Sequence, residues 1–284
     1  MGTEGALKIA RLLWAGLRPP GRGEGDGPRG APSRPTDTAA PSLQPDRPAF
    51  YALAPGRWRD YVTLLHPPYT LWHLSYVVLG AALAPSLHYD RLAATVGAFF
   101  LGVGIAAHAL DELAGRPLRT QIPDWTLRWL TGLSLAGAIA LGGLGAALVT
   151  PWLGVFIAFG LFIVLAYNLE WFRGRFHTDL WFALAWGGFP LLCAYWVNAE
   201  KLAPAVVPGL AAAVLLSLAQ RVLSRRVRTV RRKVLAIEGS LIYADGTTER
   251  LHREMAIAAD EHALLLLSAF TVMLSTSALL ARVF

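Results

Sequence analysis

The chain has 284 residues, of which 55% are hydrophobic and only 16% are charged, and its mean hydropathy is +0.44. A soluble globular domain carries about 25% charged residues, so this composition excludes a surface that mostly faces water. The apolar residues lie in long blocks, several of which reach the roughly 18 to 20 residues that cross a bilayer. The sequence therefore predicts an all-α, polytopic membrane helical bundle.

The net charge is +7 and the isoelectric point is near 9.9. In a membrane protein Lys and Arg collect in cytoplasmic loops, so this charge does not indicate a nucleic-acid partner. The single cysteine, Cys193, lies inside an apolar block. It excludes an internal disulfide framework and an all-Cys metal site.

The first 48 residues precede the apolar blocks and divide into two parts. Residues 1–18 mix Lys8, Arg11 and Arg18 with Leu, Ile and Trp14, a pattern that predicts an amphipathic helix lying on the membrane surface. Residues 19–48 hold 8 prolines and 5 glycines with almost no apolar mass, which is typical of a disordered linker.

Seven membrane spans follow the linker, and basic residues are concentrated in alternate loops between them. The positive-inside rule places the N-terminus and these basic loops in the cytoplasm, with the chain as a multi-pass protein of the inner (plasma) membrane. The predicted spans are Thr70–Leu87, Leu92–Leu110, Leu130–Val149, Trp152–Tyr167, Leu180–Val197, Ala203–Leu223 and Ala263–Leu280.

The segment between the last two spans differs in composition from the other loops. Residues 234–260 contain short β-type runs beside Glu238-Gly239 and Asp245-Gly246, which predict a small cytoplasmic hairpin. The remaining residues, 261–284, form the predicted C-terminal transmembrane helix.

The first candidate site lies at the cytoplasmic end of the second span, where His108, Asp111 and Glu112 occur together. Residues three and four positions apart share a helix face, so these three side chains point the same way. Carboxylate oxygens suit Mg²⁺, which takes one or two of them together with phosphate oxygens of a substrate. Arg116, one turn later, is then a candidate phosphate ligand.

The connection between the fourth and fifth spans supplies the second candidate site. Asn168, Glu170 and Asp179 offer oxygen ligands, His177 offers an acid, a base or a ligand, and Arg173 offers a phosphate contact. Weaker candidates are His66 at the start of the first span, and Gln220 and Arg221 at the end of the sixth. The aromatic residues that could line a pocket for a lipidic substrate are Trp181, Phe182, Trp186 and Phe189.

Three segments resemble the UbiA family of intramembrane prenyltransferases. The run His66-Pro-Pro-Tyr-Thr-Leu71, followed by the small-residue stretch Val77–Ala84, is similar to the first helix of that family. The segment Ala107–Glu112 stands where the family has the motif Asn-Asp-x-x-Asp, and Asn168-Leu-Glu170 stands where its second motif begins Asp-x-Glu. Position 107 is Ala where the family has Asn, and position 108 is His where it has Asp.

The resemblance implies a UbiA-like transmembrane core over residues 49–233 and a bundle of seven to nine helices around a cavity. It also implies a lipidic substrate, a polyprenyl diphosphate, which ionises with the help of Mg²⁺ for prenyl transfer or cyclisation. The implied metal ligands are Asp111, Glu112, Glu170 and Asp179, and the implied substrate ligands are Arg116, Asn168, Arg173 and Arg221. The implied catalytic residues are His108, Asp111 and His177.

Two other functions remain open from the residues. The mixture of imidazoles and carboxylates suits Fe, Mn or Zn better than Mg²⁺ alone, which predicts a transition-metal enzyme that acts on a lipid or quinone. The basic run after the sixth span also suits a non-catalytic protein that binds anionic membrane lipids.

Overall fold

The structure, a computed structural model, describes residues 47–284. They belong to one compact unit, Pro45–Phe284. The predicted amphipathic helix over residues 1–18 and nearly all of the predicted linker over residues 19–48 lie outside the described residues.

The described residues are mostly helical, and one small hairpin interrupts the helices near the C-terminus. The helices are α1 (Arg57–Leu64), α2 (Pro67–Leu83), α3 (Tyr89–Leu113), α4 (Asp124–Leu148), α5 (Leu153–Asn168), α6 (Asp179–Ala199), α7 (Val206–Lys233) and α8 (Arg253–Leu280), and the strands are β1 (Ser240–Ile242) and β2 (Thr248–Arg250). A four-residue helical turn, Trp171–Gly174, lies between α5 and α6.

The all-α membrane bundle that the sequence predicts is confirmed at the level of architecture. Within the described residues, α3, α4, α6, α7 and α8 are long and apolar enough to cross a membrane. The other two predicted spans correspond to α2, of 17 residues, and α5, an apolar helix of 16 residues. A bilayer crossing needs about 20 residues, so length and composition support five spans and leave the predicted number of seven to nine unconfirmed.

Two of the long helices contain a π-helical segment that the sequence analysis did not predict. These segments are Phe100–Ala107 in α3 and Ala183–Gly188 in α6. Both are rich in glycine and alanine, which allow the backbone to widen locally. A π segment is frequent at functional sites because it shifts the register of the backbone hydrogen bonds.

The last two long helices extend beyond the apolar blocks that predicted them. α7 continues through the basic run to Lys233, and α8 begins at Arg253, ten residues before the predicted start. Ion pairs between the two helices explain this extension: Arg231 Nε lies 2.5 Å from Glu261 Oε1, and Arg226 Nε lies 3.3 Å from Asp260 Oδ2. A span predicted from hydropathy ends at the first charged residues. In the structure the two helices continue through these residues because the charges are paired.

The predicted hairpin is present between α7 and α8. β1 and β2 pair antiparallel, with Ser240 opposite Arg250 and Ile242 opposite Thr248. Gly246, with a φ of +83°, makes the turn, and the Asp245 carboxylate accepts hydrogen bonds from the backbone N–H and the hydroxyl of Thr247.

Candidate functional site

A cavity of about 300 Å³ lies at the end of the bundle where α3, α5 and α7 end and where α2 and α6 begin. We call it the basic cavity. Its ionisable and polar lining consists of His66, His73, His108, Asp111, Asn168, His177, Gln220, Arg221, Ser224, Arg228 and Arg232, together with Tyr51, Tyr69 and Tyr167. A predicted site residue that lines this cavity can contact a ligand bound there, and one that does not line it cannot.

Five of the residues predicted to act in catalysis, substrate binding or metal binding line the basic cavity together. They are His108 and Asp111 from α3, Asn168 at the end of α5, His177 before α6, and Arg221 on α7. The two segments that the sequence analysis treated separately thus meet in space. The Asp111 side chain makes no hydrogen bond or ion pair with any other described residue, so its carboxylate is free for a ligand.

Glu112 and Arg116, also predicted as ligands, do not line the cavity and instead hold the loop after α3. The Glu112 side chain has no exposed surface and accepts hydrogen bonds from the backbone N–H of Leu118 (3.0 Å) and Thr120 (2.8 Å) and from the Thr120 hydroxyl (2.8 Å). Arg116 donates to the carbonyl of Ile122 at 2.6 Å and forms an ion pair with Asp124. Both side chains are therefore occupied by their own loop.

The remaining predicted ligands, Glu170, Arg173 and Asp179, also lie outside the lining of the cavity. Glu170 and Arg173 are exposed and have a positive φ, of 50° and 61°. Asp179 forms ion pairs with Arg221, whose Nε lies 2.9 Å from Oδ1, and with Arg225. The role of Asp179 in the structure is to orient Arg221, which does line the cavity.

The positions of these side chains show which of the predicted metal ligands lie near one another. Of the four carboxylates predicted to bind Mg²⁺, only Asp111 reaches the cavity, so the four do not form one set of ligands. Within residues 47–284, no group of three or more His, Cys, Asp or Glu side chains lies close enough to hold a metal ion. Asp111 is therefore the one predicted carboxylate that a ligand bound in the basic cavity would meet among the described residues.

The four histidines of the cavity share one hydrogen-bonding pattern. In each ring, Nδ1 lies within hydrogen-bond distance of a backbone carbonyl: His66 to Leu64 (2.7 Å), His73 to Trp186 (2.9 Å), His108 to Gly104 (3.0 Å) and His177 to Tyr167 (3.0 Å). A carbonyl only accepts, so Nδ1 carries the hydrogen and, in the neutral ring, Nε2 keeps its lone pair.

The π segments supply two of these four carbonyls. Gly104, which accepts from His108, lies in the π segment of α3, and Trp186, which accepts from His73, lies in that of α6. The carbonyl groups of a widened helix are offset from their usual partners, which leaves them able to accept from a side chain. The unusual backbone of these two helices thus orients two rings of the cavity.

Three arginines on one face of α7 give the cavity its positive charge. Arg221, Arg228 and Arg232 are separated by seven and four positions, a spacing that places them on one side of a helix. The side chains of Arg228 and Arg232 make no hydrogen bond or ion pair with another described residue, and the buried Nε of Arg232 has no acceptor there. The buried Oε1 of Gln220, on the same face, has no donor.

By sequence, Arg228 and Arg232 belong to the basic run after the sixth span, a pattern that predicts membrane orientation and does not mark them as site residues. Their spacing from Arg221 was the signal that could have found them. Tyr51 and Tyr69 carried no such signal, because they reach the cavity only through the fold.

The segment before α1 closes one side of the cavity. The ring of Tyr51 lies 5.3 Å from that of His66 and 5.5 Å from that of Tyr69. Burial raises the pKa of Tyr51 well above its usual value of 10.0, and burial lowers the pKa of His66 from 6.5 to about 4. At neutral pH Tyr51 therefore keeps its hydrogen and His66 is uncharged.

A second, apolar cavity of about 400 Å³ lies among α3, α4, α5 and α6. Its lining includes Phe99, Phe156 and Phe189. Trp186, which is 4% exposed, lines both cavities, and its ring stacks on that of Phe182 at 5.5 Å. The basic cavity and the apolar cavity thus share Trp186 as a lining residue.

Comparison of the chain with protein-family models, with curated proteins and with solved structures finds no match.

Proposed function

We propose that the protein is an integral membrane enzyme that acts on an isoprenoid diphosphate or a related prenyl lipid and holds its anionic head group in the basic cavity. The observation that carries the proposal is the pair Arg228 and Arg232, which line the cavity without an anionic partner among the described residues. Both residues are half-buried, and the buried Nε of Arg232 has no acceptor there. Removing a guanidinium from water is costly unless it is paired. An anionic ligand supplies the missing partner.

The charge of the lining supports an anion with at least two phosphate or carboxylate groups. Among the described residues, three arginines face the cavity and Asp111 is the only carboxylate in its lining. Arg221 is already paired with Asp179, which leaves Arg228 and Arg232 as unpaired cations. The planar guanidinium donates two parallel hydrogen bonds to one anionic group, and two arginines suit a diphosphate.

The apolar cavity supports a ligand that also has a hydrocarbon tail. It shares Trp186 with the basic cavity, so a head group on the arginines would have its tail beside an apolar space. Ligand pockets generally combine such an apolar volume with a few polar groups that fix orientation. Prenyl diphosphates have this division, as the UbiA resemblance also implies.

The chemistry follows from the cavity residues. Breaking the allylic C–O bond leaves a carbocation and a diphosphate, whose added charge Arg228 and Arg232 would stabilise. The new bond forms between the carbocation and an acceptor or a double bond of the same chain. His108 Nε2, which carries no hydrogen, would take the released proton.

Geranylgeranyl diphosphate tests the proposal with the full chain in lipid nanodiscs. We expect binding of this probe and release of pyrophosphate, and we expect both to fall about 100-fold in R228Q/R232Q, since each charge-assisted hydrogen bond contributes about 1.5–3 kcal/mol. The matched control R226Q/K233Q removes the same charge from α7 outside the cavity lining and should retain both. Binding without release would favour the non-catalytic lipid-binding function, and absence of binding would contradict the proposal.

A further inference from the structure

The basic cavity presents hydrogen-bond acceptors that a simple diphosphate does not use. Each of the four histidines is fixed with its hydrogen on Nδ1, so each Nε2 is an acceptor in the neutral ring. No Nε2 hydrogen bond to another described residue is present. A fully ionised phosphate offers only acceptors and gives these nitrogens no partner.

Gln220 provides an independent observation of the same kind. Gln220 is 3% exposed and lines the cavity. Its Oε1 accepts no hydrogen bond from a described residue. A buried acceptor without a donor is energetically unfavourable. Among the described residues, the cavity lining therefore holds a buried donor without an acceptor, Arg232 Nε, and a buried acceptor without a donor, Gln220 Oε1.

The acceptors surround the cavity. His66 and His73 belong to the start of α2, His108 to α3, His177 to the connection before α6, and Gln220 to α7. The rings of His66 and His108 stack with their centroids 4.0 Å apart. A ligand in a cavity of about 300 Å³ would meet acceptors from several directions.

We infer that the head group bound in the basic cavity carries hydroxyl groups beside its anionic group, as the phosphate ester of a polyol does. The arginines bind the phosphate oxygens, and the hydroxyls donate to the imidazole nitrogens and to Gln220. The inference rests on the proposed function for the anionic part and adds the hydroxyl part. It applies to the substrate or to the acceptor that receives the prenyl group.

Two small probes of equal charge and chain length test the hydroxyl part of the head group separately from its anionic part. Glycerol 3-phosphate and n-propyl phosphate differ only by two hydroxyl groups, and their affinities can be measured by isothermal titration calorimetry on the full chain in nanodiscs. We expect glycerol 3-phosphate to bind about tenfold more tightly, because its two hydroxyl groups donate hydrogen bonds that n-propyl phosphate cannot make. Equal affinities would overturn this inference and leave the proposed function standing. If neither probe binds and geranylgeranyl diphosphate does not bind either, the proposed function fails as well.

Variants of His108 and Gln220 identify the acceptors. In His108→Asn the amide N–H replaces Nδ1–H as the donor to Gly104, and the acceptor at the Nε2 position is lost. In His108→Gln an amide group remains near the Nε2 position. We expect the preference for glycerol 3-phosphate to fall in His108→Asn and Gln220→Leu and to be retained in His108→Gln. An unchanged preference in both His108→Asn and Gln220→Leu would overturn the inference.

Discussion

Two adjacent carboxylates at the end of α3 have different surroundings. The Asp111 side chain faces the basic cavity and makes no hydrogen bond or ion pair with another described residue, whereas the Glu112 side chain is fully buried and accepts three hydrogen bonds from Leu118 and Thr120. A buried carboxylate with this many donors determines the path of its loop. Asp111 is therefore available to a ligand, whereas Glu112 stabilises the fold.

Replacement of Glu112 by Gln should therefore reduce stability. The amide NH₂ cannot accept a hydrogen bond, so at least one buried donor of the loop loses its partner at a cost of about 1–3 kcal/mol. Thermal unfolding in detergent should show a lower Tm for Glu112→Gln than for the wild type. The control Glu170→Gln, at an exposed position, should leave the Tm unchanged. A stable Glu112→Gln variant that fails to bind the prenyl probe would instead favour a role in the site.

His66 should make stability depend on pH. Burial lowers its pKa to about 4 in the folded protein, against 6.5 for the free group. As the pH falls from 6.5 to 4, the unfolded chain binds a proton that the folded chain does not, so the folded state loses up to about 3 kcal/mol. The Tm of the wild type should fall over this range, and that of His66→Asn should fall less. Asn also tolerates the φ of 47° at this position. Equal pH dependence of the two proteins would contradict this prediction.

How far single residues could be predicted depended on where their partners lie. His108, Asp111 and Arg221 were identified from their place at helix ends, and all three line the cavity. Glu112 and Arg116 have the same local pattern, but their partners lie in a loop whose path depends on the tertiary fold. Local spacing fixes the face of a helix and does not show which neighbour will occupy a side chain.

At the scale of the element, the two π segments could not be predicted from sequence. Hydrophobic periodicity predicts α3 and α6 as helices, and it does not register a change of backbone hydrogen bonding inside them. These changes have consequences for the site, because the carbonyls of Gly104 and Trp186 hold His108 and His73. The apolar blocks predicted the helices correctly, and their internal geometry depends on packing.

The contact between α2 and α6 depends on Gly80. A Cβ atom at this position would lie 2.2 Å from the carbonyl oxygen of Leu191, and a backbone atom cannot move aside as a side chain does. Gly80→Ala should therefore destabilise the bundle by about 1–3 kcal/mol, seen as a lower Tm in detergent. Gly143→Ala is the matched control, since nothing lies within 4 Å of the corresponding Cβ. Equal Tm values for the two variants would show that the helices separate without cost.

At the scale of the whole molecule, charge and hydropathy are distributed in a way that suits an amphipathic ligand. The cationic side chains Arg228 and Arg232 face the basic cavity at one end of the bundle, and the apolar cavity lies on the other side of Trp186. Composition predicted the membrane bundle, and the order of the apolar blocks predicted most of its helices. The cavities could not be predicted, because they depend on how α3, α5, α6 and α7 pack against one another.

Binding of inorganic pyrophosphate in the presence of EDTA tests the central claim most directly. Isothermal titration calorimetry on the full chain should show metal-independent binding by the wild type and by R226Q/K233Q, and binding about 100-fold weaker by R228Q/R232Q, because the arginines hold the anion. Binding that requires added Mg²⁺, disappears in Asp111→Asn and persists in R228Q/R232Q would contradict the claim and favour a metal-held diphosphate.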